Sequence, residues 1–381
     1  MANPKPARPL RVLHCPDMVG GHPQQLARAE RALGLDSWSV VWQATRFDGL
    51  SDEVLCSGSV SSLRRGWMRL KLLARALFHF DVVHFNFGLS LMPAVSPGRN
   101  ALLNRLLGGI ELSDLPLLKY AGKTIVFTFQ GDDARQGDGL DQFAEFDWRQ
   151  EFGSDYYSPQ ADAHKRWRIE KIACWADRIY SLNPDLLRVL PASAQFASYG
   201  NVDLDQYRPR TPLFNKIPRV MHAPSHRGVK GTSYVLEAVS RLRSEGVAFD
   251  FELVEGKTHA EAMGRYREAD LLIDQLLLGW YGGLGVECMA LGVPVICYIR
   301  PGDLGFVPAG IRADLPVISA DRTTLYSVLK DWLTVRRAEL PDVGRRSRKF
   351  VEAWHNPLKI AQSQADDYHQ LGQRPQAHRS A

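Results

Sequence analysis

The second half of the chain alternates between apolar segments of strand length and segments with helical periodicity. Apolar runs at 219–223, 249–254 and 270–277 are separated by helix signals, among them a capping box formed by Thr258 and Glu261. Alternating strands and helices predict a parallel sheet with right-handed crossovers. Ligands of such open sheets bind outside the carboxyl ends of the strands, so binding residues are expected in the loops at those ends.

A glycine-rich turn, GWYGGLGVE at 279–287, follows the apolar run at 270–277 and leads into a short helix predicted at 286–291. Glycines let backbone amides approach an anion, and a helix N-terminus adds roughly half a positive charge. Glu287 is expected in the first helical turn, close to where a ribose would lie. A plain strand-to-helix turn is the alternative, because glycine-rich turns of this kind are common in α/β folds.

A basic loop, SHRGVKG at 225–231, precedes a helix that Thr232 is predicted to cap. Arg227 and Lys230 flank a glycine there, and a planar guanidinium and a compact ammonium both suit a diphosphate. Taken alone, a solvated basic loop explains the pattern equally well. Because the loop and the glycine turn belong to one predicted sheet, we expect them to bind the same phosphate ligand.

The first half of the chain begins with the same order of strand, glycine turn and helix. RVLHC (11–15) predicts a strand, DMVGGH (17–22) a turn, and Pro23 the first position of a helix. A later strand, KTIVFTF at 123–129, runs into the polar loop QGDDAR at 130–135. Polar groups at a strand end are candidates for a reaction centre, although loop aspartates often only cap helices.

The segment SSLRRGWMRLKLLARALFHF (61–80) predicts a basic amphipathic helix. The apolar residues assigned to one side of it are Leu70, Leu73, Leu77 and Phe80. Such a helix can lie in an anionic membrane interface. Packing on a sheet is the more common arrangement and is the favoured expectation. A short apolar helix predicted at 101–109 is a second candidate for lipid contact.

Length and composition exclude several classes of protein. A chain of 381 residues exceeds one ordinary core, so two domains are expected, with the proline-rich segment 207–218 as their boundary. Five cysteines without a CxxC pair fit a reduced cytosol. Neither a secretory signal nor a membrane-spanning run is expected. The net charge of +5 is too mild to indicate nucleic-acid binding.

Several segments together resemble the GT-B class of nucleotide-sugar glycosyltransferases, and glycosyltransferase family 4 in particular. The matching segments are HAPSHRGVKGT (222–232), ADLLIDQLLLGWYGGLGVECMALGVPVI (269–296), ADRIYSLNPDLL (176–187) and NVDLDQYRP (201–209). The resemblance covers nearly the whole chain. It implies an α/β protein with the GT-B fold, in which two Rossmann-like domains have parallel sheets that face each other across a cleft.

The resemblance also implies how the chain is divided. Residues 1–206 would form an acceptor-side domain, 207–218 a linker and 219–350 a domain that holds the donor. A helix at 351–371 would cross back to the first domain, and 372–381 would be a flexible tail.

The roles that the resemblance implies for single residues are these. Arg227 and Lys230 would contact the donor diphosphate, Tyr281, Gly282 and Gly283 would line it through backbone and side chain, and Glu287 would hold the ribose hydroxyls. Gln130 and Asp132 would be the catalytic residues, and the turn of Gly20, Gly21 and His22 would face the acceptor.

The implied activity is sugar transfer from a UDP- or GDP-type donor to a hydroxyl of a glycan, a lipid-linked acceptor or a polysaccharide precursor. Retention of anomeric configuration is expected without metal or cofactor, because Arg, Lys and helix-end amides can stabilise the departing diphosphate. The implied location is cytoplasmic, with peripheral contact at the inner, anionic face of the membrane as an option, and nucleic acid is not an expected partner.

Two positions depart from the family pattern. Gly279 stands where members often carry a glutamate that meets the donor sugar, and Gln130 stands where a histidine is usual. Asp274 or Gln275 could supply the missing polar contact. The departures leave open a non-catalytic alternative, in which the protein only binds nucleotide sugars or serves as a partner subunit of a glycan assembly complex.

Two metal-dependent interpretations are weaker. Asp203 and Asp205 form an Asp-x-Asp, but they lie in a polar, proline-bounded linker rather than at a strand end. A zinc site built on His222 and His226 is not expected, because Pro224 intervenes and no further ligand has suitable spacing.

Overall fold

The computed structural model describes residues 8–17, 20–43, 51–56, 58, 60–95, 104, 107–209 and 217–373. Most of the short helix predicted at 101–109, part of the linker at 207–218 and nearly all of the predicted tail lie outside these ranges. No helix within the described ranges is long and apolar enough to cross a bilayer.

The first sheet has seven parallel strands in the order β3-β2-β1-β4-β5-β6-β7. Its strands are β1 Arg11–Cys15, β2 Asp36–Gln43, β3 Glu53–Cys56, β4 Val82–Asn86, β5 Thr124–Phe129, β6 Arg178–Ser181 and β7 Gln195–Phe196. The central strands β4 and β5 are buried along their whole length, as expected for a parallel sheet covered on both faces.

The second sheet has five parallel strands in the order β12-β11-β10-β8-β9. Its strands are β8 Arg219–His222, β9 Asp250–Leu253, β10 Leu271–Ile273, β11 Val295–Cys297 and β12 Ile318–Ser319. The alternation of strands and helices therefore produces the parallel sheet that the sequence predicts. Strand β10 is shorter than the apolar run at 270–277, because the chain leaves the sheet after Ile273 and continues as a buried loop.

Helices cover both sheets. The helices that come before the second sheet in the chain are α1 His22–Ala32, α2 Ser62–Phe78, α3 Asp114–Tyr120, α4 Gly137–Phe143, α5 Trp148–Phe152 and α6 Pro159–Trp175. Those within the second-sheet part of the chain are α7 Arg227–Lys230, α8 Thr232–Ser244, α9 His259–Tyr266, α10 Gly283–Ala290, α11 Ala309–Asp314, α12 Leu325–Leu333 and α13 Leu340–Trp354.

The last helix, α14 Pro357–Gly372, returns from the second sheet to the first and lies against α1. Tyr368 on α14 is fully buried, and its hydroxyl lies 2.7 Å from Nδ1 of His84 on β4. Helix α13 continues through Trp354, and Asn356 caps the next helix through its side chain. The crossing helix therefore begins at Pro357 rather than at residue 351.

Local structure around the two glycine-containing loops differs from the prediction in three details. The basic loop contains one helical turn, α7, and the N-cap of α8 is Gly231 with φ 74° rather than Thr232. The Thr232 hydroxyl instead donates to Nε2 of His222, 2.9 Å away. Helix α10 begins at Gly283, earlier than predicted, so Glu287 lies in its second turn.

Candidate active site

A cavity of about 510 Å³ lies at the carboxyl ends of β8 and β9, beside the start of α10. Its wall on the second sheet includes Lys230, Gly283 and Glu287, and its opposite wall includes Gly20 and Asn201 from the first-sheet side. This "cleft cavity" is in the position where open α/β sheets bind ligands. The structure thus brings together residues from both predicted glycine turns and from the basic loop.

Lys230 lines this cavity, and an ion pair with a buried carboxylate fixes the position of its side chain. Its Nζ lies 2.8 Å from Oδ1 of Asp274 and 3.0 Å from Oε1 of Gln275. Oδ2 of Asp274 accepts the backbone N–H of Gly282 at 3.0 Å. A lysine ammonium has three donors, so two serve these protein contacts and one remains for a ligand. Asp274 and Gln275 therefore position Lys230.

The start of α10 supplies backbone donors to the same cavity. Gly282 is the N-cap, and the first amides of a helix lack intrahelical acceptors. Gly283 and Leu284 both line the cavity. A Cβ on Gly283 would lie 3.2 Å from Nδ2 of Asn201, which also donates to the Gly283 carbonyl at 3.2 Å. Glycine at this position lets the strand-end loop of the first sheet approach the helix start closely.

Tyr281 does not contact the cavity through its side chain, contrary to the sequence prediction. The residue is fully buried, and its ring stacks on Trp280 with centroids 4.6 Å apart. Its hydroxyl donates to Nε2 of His355 at 2.9 Å, while Nδ1 of His355 donates to the Tyr199 carbonyl at 2.8 Å. Tyr281 thus anchors the glycine turn to the interior of the protein.

Glu287 lines the cavity and is held by two side chains that sequence reasoning missed. Nε2 of His259 lies 2.8 Å from its Oε1, and the Tyr207 hydroxyl donates to the same oxygen at 3.2 Å. Burial, followed by the Glu287 charge, raises the pKa of Tyr207 well above its ordinary value, so the phenol stays a donor. Neither partner carries a local sequence signal, because both contacts depend on tertiary folding.

Arg227 is placed differently from Lys230. Its side chain is 61% exposed and forms a two-point ion pair with Glu255, with Nε 2.8 Å from Oε1. Glu255 lines the cleft cavity, whereas Arg227 lies just outside that lining. The structure therefore brings only one of the two predicted diphosphate ligands into the cavity wall, and holds the second at its rim.

The backbone conformation and close neighbours of Gly279 leave no room for the glutamate that is common at this position in glycosyltransferase family 4. Its φ is 83°, and a Cβ there would lie 2.7 Å from Cβ of Arg300. Arg300 is buried and pairs with Asp303 at 2.9 Å. Arg188, from the first-sheet side, pairs with the same carboxylate at 2.6 Å. An ion-paired arginine cluster thus fills the place of the missing side chain.

Asp132 borders a second cavity, of about 550 Å³, on the first-sheet side, whose lining also includes Asp133 and Lys165. Its carboxylate accepts the hydroxyls of Tyr156 and Tyr157, each at 2.6 Å, and pairs with Arg135 at 3.1 Å. Burial alone would raise the pKa of Asp132, but the Arg135 charge and the two tyrosine hydroxyls outweigh it, so the pKa lies below its usual range. Asp132 is therefore a fixed, charged acceptor.

Gln130 is buried and lines neither the cleft cavity nor the second cavity, although the sequence predicts a catalytic placement. Its backbone N–H donates to the Asp133 carboxylate at 3.1 Å, and its Nε2 lies 3.4 Å from Oδ1 of Asn86. Its carbonyl accepts the side-chain amide of Asn183. Burial raises the pKa of Asp133 to about 6 despite these backbone donors. The chain turns sharply after β5, which directs Gln130 into the interior.

The turn of Gly20, Gly21 and His22 is only partly in the cleft. Gly20 lines the cavity, and Gly21 is the N-cap of α1 with φ 76°. His22 is fully buried, and its Nδ1 accepts the Gly200 N–H at 2.8 Å. Burial, with smaller effects from His14 and His355, lowers the pKa of His22 to about 3. His22 is therefore a neutral core residue and not an acceptor-facing group.

A segment of the first-sheet side, residues 137–157, bridges to the second sheet and is called the bridging segment below. Trp148 and Phe152 share one apolar cluster with Val229, Leu277 and Leu278. The Tyr298 hydroxyl donates to Glu145 at 2.7 Å. A Cβ on Gly228 would lie 2.2 Å from the Glu151 carbonyl oxygen, so the segment rests directly on α7.

The residues of the rival metal sites serve structural roles. His222 is buried, donates from Nδ1 to the Ile273 carbonyl at 2.8 Å, and has its pKa lowered to about 4 by burial. Asp203 accepts the backbone N–H of Asp205 at 3.0 Å, as in a capped turn. In the part of the chain that the structure describes, no three His, Cys, Asp or Glu residues are grouped so that they could hold a metal ion.

Comparison with known proteins finds similarity in structure but not in sequence. No family model and no curated protein sequence matches the chain. Sucrose-phosphate synthase from Thermosynechococcus elongatus superposes with a TM-score of 0.61 at 15% identity, covering 96% of this chain and 99% of that one. Anabaena HepE in complex with UDP-glucose gives 0.58 at 11% identity, covering 95% and 100%.

The catalytic domain of starch synthase IV from Arabidopsis thaliana, bound to ADP and acarbose, gives a TM-score of 0.58 at 12% identity, covering 96% and 100%. These matches span both sheets and the cleft. The chain has the GT-B fold. The predicted α/β fold class with two parallel sheets is confirmed, and at these identities the likeness concerns the GT-B fold alone.

Proposed function

We propose that this GT-B protein is a glycosyltransferase that transfers a sugar from a nucleotide-sugar donor to an acceptor hydroxyl. The observation that carries the proposal is the convergence of Lys230, the amides at the start of α10 and Glu287 on one cleft cavity. An ammonium and helix-end amides suit a diphosphate, and a carboxylate suits the ribose hydroxyls. In the same fold, HepE has been solved with UDP-glucose and starch synthase IV with ADP, which supports a nucleotide-diphosphate donor.

The chemistry follows from where charge develops during transfer. As the bond between sugar and diphosphate breaks, negative charge grows on the departing phosphate oxygens. Lys230 is preorganised by Asp274, so it can stabilise that charge without rearrangement. Arg227 can also contact the diphosphate, because its ion pair with Glu255 is exposed and breaking an exposed ion pair costs little free energy. We propose that this donor set works without a divalent metal and with retention of configuration.

The acceptor is assigned to the second cavity, on the first-sheet side, with residues 1–206 as the acceptor-side domain and 219–350 as the donor domain. Asp132 lies at its edge and accepts hydrogen bonds from two tyrosines and an arginine. A carboxylate engaged in this way is suited to orient an acceptor hydroxyl rather than to remove its proton. A glycan or a lipid-linked glycan precursor fits this assignment.

The rival function is nucleotide-sugar binding without turnover, and the placement of Gly279 and Gln130 favours it. Release of free nucleotide from a panel of UDP- and GDP-sugars separates the two functions. We expect release by the native protein, no release by Lys230→Met, and unchanged release by Lys171→Met, which alters an exposed lysine on α6. Nucleotide-sugar binding without release or transfer, in any mixture of acceptors, would establish the non-catalytic alternative.

A further inference from the structure

Helix α2 exposes a continuous row of large apolar side chains. Leu63 is 88% exposed, Trp67 73%, Leu70 62% and Phe78 84%. At 100° per residue these positions, with the small exposed Ala74, fall on one face, and the row runs for about 22 Å along the helix. Apolar side chains this exposed and this well aligned mark an interaction surface rather than scattered surface residues.

The opposite face of α2 already accounts for the helix packing on the first sheet. Leu72, Leu73 and Ala76 are buried in the first-sheet core. The sequence assigned Leu70 and Leu73 to one face, but the structure separates them, with Leu73 inside and Leu70 outside. Ordinary packing therefore explains one apolar face of α2 and leaves the second unexplained.

The charges on α2 are all of one sign. The helix contains no Asp or Glu, and it carries Arg64, Arg65, Arg69, Lys71 and Arg75. Arg64 and Lys71 are exposed along one edge of the apolar row, and neither forms an ion pair with another residue that the structure describes. A surface complementary to this face is apolar along its centre and negative along one edge.

We propose that the exposed face of α2, formed by Leu63, Trp67, Leu70 and Phe78, docks on an anionic membrane surface. The apolar row would enter the boundary between headgroups and acyl chains, while Arg64 and Lys71 contact lipid phosphates. A lipid surface matches the length of the row and the absence of acidic side chains on the helix. A protein partner with the same complementarity is the outcome that the test below distinguishes.

The same helix borders the second cavity. Arg69 lines that cavity, its guanidinium lies 4.2 Å above the Trp42 ring, and it donates to the Leu91 carbonyl. Arg69 is on the protein-facing side of α2, so docking through the opposite face would place the cavity about one helix diameter, roughly 10 Å, from the lipid surface. This step, which rests on the proposed transferase function, assigns a lipid-linked acceptor to the second cavity.

The test is flotation of the full chain with vesicles of phosphatidylcholine alone or mixed with phosphatidylglycerol. We expect flotation with the anionic vesicles at low salt and its loss at about 0.5 M salt, where screening shortens the Debye length to a few ångströms. The double variant Trp67→Ser with Leu70→Ser should fall to the background seen with phosphatidylcholine alone. So should the double variant Arg64→Gln with Lys71→Gln.

Matched controls alter exposed residues elsewhere. Val335→Ser with Leu358→Ser, and Arg312→Gln with Lys349→Gln, should float like the native chain. Native protein that fails to float at low salt, or α2 variants that still float, would overturn the proposal. The proposal would also be overturned if the α2 variants changed only the self-association of the chain, measured by size-exclusion chromatography without lipid. Thermal shifts with nucleotides should be unchanged in the α2 variants, which separates membrane docking from donor binding.

Discussion

The Lys230 ammonium lies 2.8 Å from the carboxylate of Asp274, whose other oxygen accepts the Gly282 amide 3.0 Å away. Asp274 is only 1% exposed, and its buried carboxylate contacts both the basic loop and the glycine turn. This carboxylate joins the two motifs into one rigid unit before any ligand arrives. It also means that stability and donor binding depend on overlapping groups.

Replacing Lys230 should therefore affect both properties, and a second substitution should separate them. Lys230→Met leaves the Asp274 charge buried without its cation, which should lower the free energy of unfolding by about 3 kcal/mol. Lys230→Met with Asp274→Asn removes that charge and should recover most of the stability. Urea unfolding measures this, and nucleotide binding should stay absent in both variants. Binding that returns with stability would show that Lys230 acts only on folding.

Gly279 should not tolerate the glutamate that is common in the resembling family. Gly279→Ala adds a Cβ at φ 83° and 2.7 Å from the Arg300 Cβ, so left-handed strain and overpacking together should cost about 3 kcal/mol. Gly246→Ala is the matched control, because φ is 78° there but the added Cβ meets open space. Its cost should be only about 1 kcal/mol. Equal losses in thermal or urea unfolding would refute the packing argument.

Glu287 should bind the ribose hydroxyls of the donor nucleotide. Glu287→Gln should weaken binding about tenfold or more, as expected for a lost hydrogen bond to a charged group. Calorimetric titration with a nucleotide and its 2′-deoxy analogue gives the sharper result. The native protein should discriminate between the two, and the variant should not. Undiminished discrimination in Glu287→Gln would place the ribose elsewhere.

His355 should make stability depend on pH below neutrality. Burial lowers its pKa to about 4, against the opposing hydrogen bond to the Tyr199 carbonyl. The unfolded chain, with a histidine pKa of about 6.5, binds the extra proton first as pH falls. Stability from neutral His355 is thus complete above about pH 6.5 and is lost between about 6.5 and 4.

The slope that one such group contributes is about 1.4 kcal/mol per pH unit. Urea unfolding of the native chain and of His355→Gln at several pH values between these limits measures it. The variant should be less stable at neutral pH and should show a shallower fall on acidification. Parallel pH profiles would mean that His355 does not titrate in this window.

The sequence predicts both the parallel sheets and the approach of Lys230 to the glycine turn. Both follow from the order of strands and helices along the chain. Strands that alternate with helices must place their carboxyl ends on one edge, so loops that follow β8 and β10 meet there. No sequence pattern predicts the contacts of His259 and Tyr207 with Glu287, or the contact of Arg300 with Gly279. They join residues whose approach is decided by tertiary packing.

Helix α2 shows a second limit of sequence reasoning. Helical periodicity identifies its apolar residues, but they occupy two faces, and the pattern alone does not say which face meets the sheet. Leu73 faces the core and Leu70 faces outward because the first sheet lies on only one side. Likewise, the composition of 137–157 gives no sign that it rests on α7, since that contact joins the two sheets.

The most direct test of the donor site is a thermal-shift screen across nucleosides, nucleoside monophosphates, diphosphates and nucleotide sugars. A ligand at about 100 times its dissociation constant stabilises the folded state by about 2.7 kcal/mol. The nucleoside diphosphate of one base, and the nucleotide sugars that contain it, should raise the melting temperature of the native chain. The variant Lys230→Met with Asp274→Asn should show no rise. A native chain that responds to no nucleotide diphosphate, or a variant that responds as strongly, would contradict the account.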